Sequence, residues 1–277
     1  MKPLHPLRFL FFIGLILSQI VVLGRSNILP TGSRASGMGN AFVSQFDVFS
    51  VYHNQAGLAN IERTSISFFY ENRFLVKEMS SRAGVVTFHT GSGNFAVQYN
   101  SFGPPQWREG NAGISYARHL SKKLSTGLQL NYFSTRLPEL NRVISTVSFE
   151  LGAIYQITEN SFLGAHIANP YAPNLTTLVY DETIPWRFSL GGHTNFTKQF
   201  TFSYEVEAVK GYVPTIQIGA QWEAVENLFV RGGFNTSPGR FFAGFGYVTS
   251  YFTIDTAFIY HQYLGYTPSV SLIFSFF

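Results

Sequence analysis

Cysteine is missing from the chain altogether. That absence removes disulfides, thiolate metal centres, a cysteine nucleophile and a lipidated cysteine anchor together. Charge is scarce as well: Asp, Glu, Lys and Arg make up 12% of the 277 residues, against about 25% in ordinary soluble domains. A surface facing water on all sides needs more. Past the N-terminal segment no apolar run approaches the roughly 18 residues that a membrane-spanning helix requires. Catalytic signatures are lacking too. The seven His show no HExxH or HxH spacing, and there is neither a GxSxG elbow nor a glycine loop followed by Lys to cradle phosphate. His53, His89, His166 and His193 stand singly and read as satisfied polar side chains rather than metal ligands. The expectation is therefore no metal, no cofactor and no enzymatic activity. The net charge of +4 forms no basic stripe, so nucleic acid is not an expected partner.

What the chain does have is aromatic and small. It carries 29 Phe, 15 Tyr and 25 Gly, with aromatics at 17%. Few charges with many Phe, Tyr and Gly suit a barrel with lipid outside and a polar lumen inside. The N-terminus sets the compartment. Lys2, His5 and Arg8 precede an apolar run from Phe9 to Leu23, interrupted by Ser18 and Gln19. The run is short for a span, and Val22 and Gly24 offer small residues to a signal peptidase. Residues 1–24 therefore read as a signal peptide, cleaved after Gly24 or Ser26. The alternative is an uncleaved anchor on a soluble domain, against which the composition argues.

From Thr64 onward the dominant signal is strict alternation, the period of a strand with two different faces. Phe200, Phe202, Tyr204, Val206 and Ala208 share one face, and Thr201, Ser203, Glu205 and Glu207 the other. Leu128, Leu130 and Tyr132 likewise oppose Gly127, Gln129 and Asn131. Alternation alone fits a sandwich as well as a barrel, so strand number has to choose. Turn residues divide the chain into strands near 64–71, 81–90, 93–101, 110–119, 122–135, 143–157 and 160–168. The remainder lie near 184–194, 198–209, 213–224, 226–236, 239–249, 251–260 and 265–277. These are about fourteen segments of the length that crosses a bilayer at a tilt. Connections alternate tight and long in the first half, the order of periplasmic turns and outer loops. The expected fold is all-β, a transmembrane antiparallel barrel of about fourteen strands over residues 63–277, in the outer membrane of a Gram-negative bacterium and bedded in its lipid. The chain ends on an aromatic strand with Phe274, Phe276 and Phe277. That ending resembles the signal read by the barrel-assembly machinery, which makes this machinery an expected partner.

Residues 25–62 break the alternation and form an expected periplasmic or plug segment. Two elements stand out in it. Gly32, Ser33, Arg34, Ala35, Gly37, Met38, Gly39 and Ala41 match a G-[AS]-R-[AS]-x-G-M-G-x-A pattern, and Asn54, Ala56, Gly57, Leu58 and Ala59 match N-P-A-G-L-A. In both, the chain resembles the FadL-like and PorV-like outer-membrane barrels, with Gln55 where those usually have Pro. The resemblance implies a fourteen-stranded barrel with an N-terminal hatch. Its members include carriers of hydrophobic compounds and type IX secretion components that bind protein partners.

If Phe and Tyr face lipid, then Glu150, Arg187, Glu205, Glu207, Arg231 and Asp255 face the lumen, because Arg at the lipid midplane costs about 2–4 kcal/mol. Hairpin register pairs Arg187 with Glu205, and Arg231 with Asp255 across Gly244. Arg34 is expected to reach Glu150 or Glu205. Such a network holds barrel and plug together, or, on a sharper reading, relays ions. Inward glycines at 113, 127, 152, 164, 191, 219 and 233 leave room for a packed segment. Two functions follow: passage of small hydrophobic molecules through a plugged barrel, or a subunit that binds another outer-membrane protein. The first requires a continuous apolar pocket; the second, a large flat apolar outer patch or ordered upper loops.

Overall fold

The computed structural model describes residues 30–137, 142–176 and 181–276. The expected signal peptide and the terminal Phe277 lie outside them. Fourteen strands close an antiparallel barrel. They are β1 Ser65–Asn72, β2 Ser80–Thr90, β3 Gly93–Phe102, β4 Arg108–His119, β5 Leu124–Leu137, β6 Arg142–Gln156 and β7 Ser161–Ala168, followed by β10 Arg187–Asn195, β11 Phe200–Val209, β12 Thr215–Val225, β13 Leu228–Thr236, β14 Gly239–Val248, β15 Phe252–His261 and β16 Gly265–Ser275. Between β7 and β10 a short hairpin stands apart, formed by β8 Asn174–Thr176 and β9 Asp181–Thr183. The alternation carries no sign of it, since three-residue strands are too short to show a period. Each barrel strand pairs with its neighbour, and β16 pairs with β1 from Ser65–Ser275 to Glu71–Ser269. Closure leaves no unpaired edge, which is what a sheet in hydrocarbon requires.

The period-two pattern sorts the side chains as barrel physics demands. Leu130, Ile114, Val147 and Phe241 are more than 60% exposed on the outer wall, whereas Gln129, Glu150 and Glu205 are at most 5% exposed. Aromatics gather at both ends of the outer wall. Phe95 lies 4.7 Å from Tyr116 near the tight turns, and Tyr260 5.2 Å from Tyr266 near the longer loops. No helix among the described residues is long and apolar enough to cross a membrane. Tight turns and both barrel ends share one rim; the longer loops share the other. By the usual order of such barrels the turn rim faces the periplasm. The architecture is that of a Gram-negative outer-membrane barrel.

Candidate functional site

Residues 31–60 lie against the inward-facing side chains of the barrel, and nearly every one is buried. Their path is irregular: a single helical turn α1 Ser33–Gly37, then 3-10 turns Val48–Tyr52 and Gln55–Asn60. Side-chain caps define the last two. Asp47 accepts from Phe49 N and Asn54 from Ala56 N, so backbone donors that strands cannot reach are satisfied locally. Gly32 at φ 110° and Gly39 at φ 67° hold the left-handed backbone of the tight bends.

The wall is cut to fit. A Cβ on Gly127 would meet the backbone of Gln55 and Ala56, on Gly164 that of Val43, on Gly219 that of Met38, on Gly233 that of Gly39, and on Gly152 the Asn54 carboxamide. On Gly244 it would lie 3.0 Å from Gly37 Cα. Five of the seven inward glycines picked from the sequence thus face the segment. Gly113 instead faces Gln98 and Asn131, and Gly191 faces its own neighbour strand at Tyr204 and Glu205.

Charged groups of the wall reach the segment on one side. Glu205 accepts the backbone N–H of both Phe42 and Val43 at 2.9 Å. Glu150 accepts from Gln55 Nε2 at 2.7 Å, from Asn131 at 2.8 Å and from His166 at 2.9 Å. Arg187 donates to Tyr52 O at 3.2 Å. Arg231 donates to Asp255 at 2.6 Å, beside the glycine row of Gly244 and Gly246, with both side chains at most 2% exposed. Gln221 joins this pair to the segment, accepting from Arg231 Nε at 2.8 Å and Arg34 Nε at 3.2 Å.

Two pairings differ from the sequence expectation. Arg187 lies 3.8 Å from Glu207, not against Glu205. In the observed register Arg187 stands opposite Val209, four residues along β11 from Glu205, with Ser189 opposite Glu207 and Gly191 opposite Glu205. Arg34 reaches neither Glu150 nor Glu205. It pairs with Asp47 at 3.1 Å and also donates to Phe46 O and Gln45, all within the segment. Asp47 and Gln45 were missed because nothing in an irregular run marks which side chains fold back on it, and Gln221 on β12 because alternation marks a lumen face without naming partners. Gln55 did carry a signal: it stands where Pro is usual, and its side-chain amide anchors Glu150.

The opposite side joins neutral hydrogen bonds to an apolar cluster: Asn94 donates to Leu58 O at 2.6 Å, Tyr52 Oη to Tyr99 O at 3.2 Å, and Ser33 N to Ser271 Oγ at 2.8 Å. Phe69, Val85 and Ile273 project inward from β1, β2 and β16, and with Ala83, Ala96 and Ala117 they pack on Val48, Phe49, Val51, Tyr52 and Leu58. Phe49 and Phe69 meet edge to face at 6.3 Å. At the loop rim, Leu175 and Ile184 fold back from the β8–β9 region onto Phe133. At the turn rim a cavity of about 580 Å³ opens below the segment, lined by Arg34, Gln45, Phe46, His193, Lys198 and Gln221. No group of metal-ligating side chains occurs among the described residues. Phe274 and Phe276 of the expected assembly signal are 42% and 48% exposed at the turn rim.

No protein-family model matches the sequence, and no curated protein matches it. Solved structures do resemble the fold. The toluene transporter TodX of P. putida superimposes with a TM-score of 0.68 at 12% identity, covering 90% of this chain and 99% of that one. The Ralstonia pickettii toluene transporter TbuX gives 0.65 at 14% identity, covering 90% and 98%. A Pseudomonas aeruginosa FadL homologue gives 0.60 at 13%, covering 90% and 98%. Identities this low establish a shared fold: the chain is an outer-membrane β-barrel of FadL-like architecture.

Proposed function

We propose that this barrel admits small hydrophobic compounds across the outer membrane and that residues 31–60 plug it at rest. The observation that carries the reading is the two-sided seating of that segment. Toward β6–β15 it is held by buried ions and close glycine contacts, which resist sliding. Toward β16 and β1–β4 it is held, among the described residues, by an apolar cluster and a few neutral hydrogen bonds at Asn94, Tyr52 and Ser271, with no ion pair. An apolar solute entering on that side replaces the contacts it displaces, whereas a hydrophilic one leaves apolar surface uncompensated. The likeness to toluene transporters supports the same solute class. The cavity at the turn rim is the periplasmic exit in this reading.

The paired strands β8 and β9 at the loop rim support a second reading, in which upper loops dock another outer-membrane protein as PorV-like subunits do. Uptake of labelled monoaromatic solute and of a labelled disaccharide, in intact Gram-negative cells with and without the chain, separates the two. Transport predicts faster entry of the aromatic and unchanged entry of the sugar. Unchanged entry of both, with a stoichiometric protein co-purifying, supports the docking role. Faster sugar entry contradicts the plug.

A further inference from the structure

We propose that Arg82, Arg108 and Arg136 form a binding site for the phosphates of a lipid headgroup in the outer leaflet. All three lie at the loop end of neighbouring strands, on β2, β4 and β5. Their place in the alternation turns them away from the lumen: Arg108 shares its face with Ala112 and exposed Ile114, Arg136 with exposed Tyr132 and Leu130, and Arg82 is itself exposed. Arg108 and Arg136 are direct cross-strand partners. Like charges so placed repel and destabilise a sheet. No carboxylate stands on the outer face of β1 to β6 to offset them. None of the three has a hydrogen-bond or ion-pair partner among the described residues, whereas Arg34, Arg73, Arg187 and Arg231 are each paired.

Depth selects the occupant. Arg118 also points outward from β4, ten residues below Arg108. At about 3.4 Å per residue and a tilt near 40°, the two lie about 25 Å apart along the membrane normal, the height of the apolar band of such barrels. Arg108 and Arg136 therefore sit where lipid headgroups begin, above the outward Tyr99 and Tyr132. Arg82 stands two strands from Arg108 and one step lower, on the order of 12 Å away. That spacing suits a headgroup with more than one phosphate. Guanidinium groups bind phosphate in bidentate fashion, and a phosphate between Arg108 and Arg136 turns their repulsion into attraction. The patch is one-sided: outward positions at the loop ends of β12 to β16 carry Ile216, Thr236, Phe241, Tyr260 and Tyr266, with no cation.

Native mass spectrometry of the detergent-purified barrel tests the site with three probes: bis-phosphorylated lipid A, the same lipid without phosphates, and inorganic phosphate. The site predicts one retained lipid A per barrel, held at least tenfold more tightly than the dephosphorylated lipid and not displaced by millimolar phosphate. The double substitution Arg108→Ser with Arg136→Ser should lose at least tenfold in retention. Replacing Lys122 and Lys123 by Ser at the opposite rim should change nothing. Without lipid the double variant should melt no lower than the parent, because it has lost a repulsion, so weak retention cannot be blamed on misfolding. Equal retention of the dephosphorylated lipid, full retention by the double variant, or displacement by free phosphate would each overturn the assignment.

Discussion

The two sides of the lumen wall hold the same segment by opposite means, and the difference decides how each side fails. On β6–β15 the contacts are directional: Glu205 on two backbone N–H groups, Gln221 between two guanidiniums, Asp255 on Arg231. On β16 and β1–β4 they are chiefly apolar packing around Phe49 and Leu58, with neutral hydrogen bonds at Asn94, Tyr52 and Ser271 and no buried ion pair among the described residues. Removing one partner of a buried ion pair strands the other charge, whereas trimming an apolar side chain costs in proportion to the volume lost. The charged side is thus brittle and the apolar side graded.

The largest effect is expected at the brittle side. Asp255→Ala leaves the Arg231 charge buried, at a cost of roughly 3–5 kcal/mol, and should expose residues 31–60 to protease while the barrel stays heat-modifiable. Replacing both members, Arg231→Met with Asp255→Leu, should restore protection, since removing a buried pair together is often neutral. Failure of the double replacement to recover would show that the pair matters for more than its charge balance. On the apolar side, Phe49→Leu should weaken docking by about 1 kcal/mol and Phe49→Ala by about 3 kcal/mol. A cliff in that series, in place of a slope, would erase the distinction between the sides.

A smaller effect is expected from pH at the junction of the two sides. Burial holds His53 down at about 4, from an ordinary 6.5. The Thr31 carbonyl and Asp47 oppose that shift, while Arg187 and His166 add to it. A depressed His binds protons more readily when the segment is undocked. Docking is therefore full above about pH 6.5 and weakens as pH falls toward 4, by about 30-fold at pH 5. Protease nicking of residues 31–60 should rise accordingly, and His53→Gln should flatten the profile.

That the charged side chains face the lumen could be read from the alternation, because a strand residue's face is fixed by parity alone. Partner choice could not. A four-residue shift along β11 keeps every side chain on its face yet puts Arg187 opposite Val209 and within diagonal reach of Glu207 in place of Glu205. The segment itself was legible only as a break in the pattern with two motifs. Its fold follows from left-handed bends at Gly32, Gly39 and Asn40 and from side chains such as Asp47 that cap it internally. No periodicity encodes those contacts, so nothing in the pattern points Arg34 to its ion-pair partner thirteen residues along its own segment.

Closure of the lumen by residues 31–60 is tested most directly by planar-bilayer conductance. The intact protein should pass no steady current, and the folded barrel lacking residues 31–60 should conduct as an open pore, since a barrel of this size conducts only when its interior is left empty. Steady conductance from the intact protein, or silence from a folded deletion variant, would contradict it.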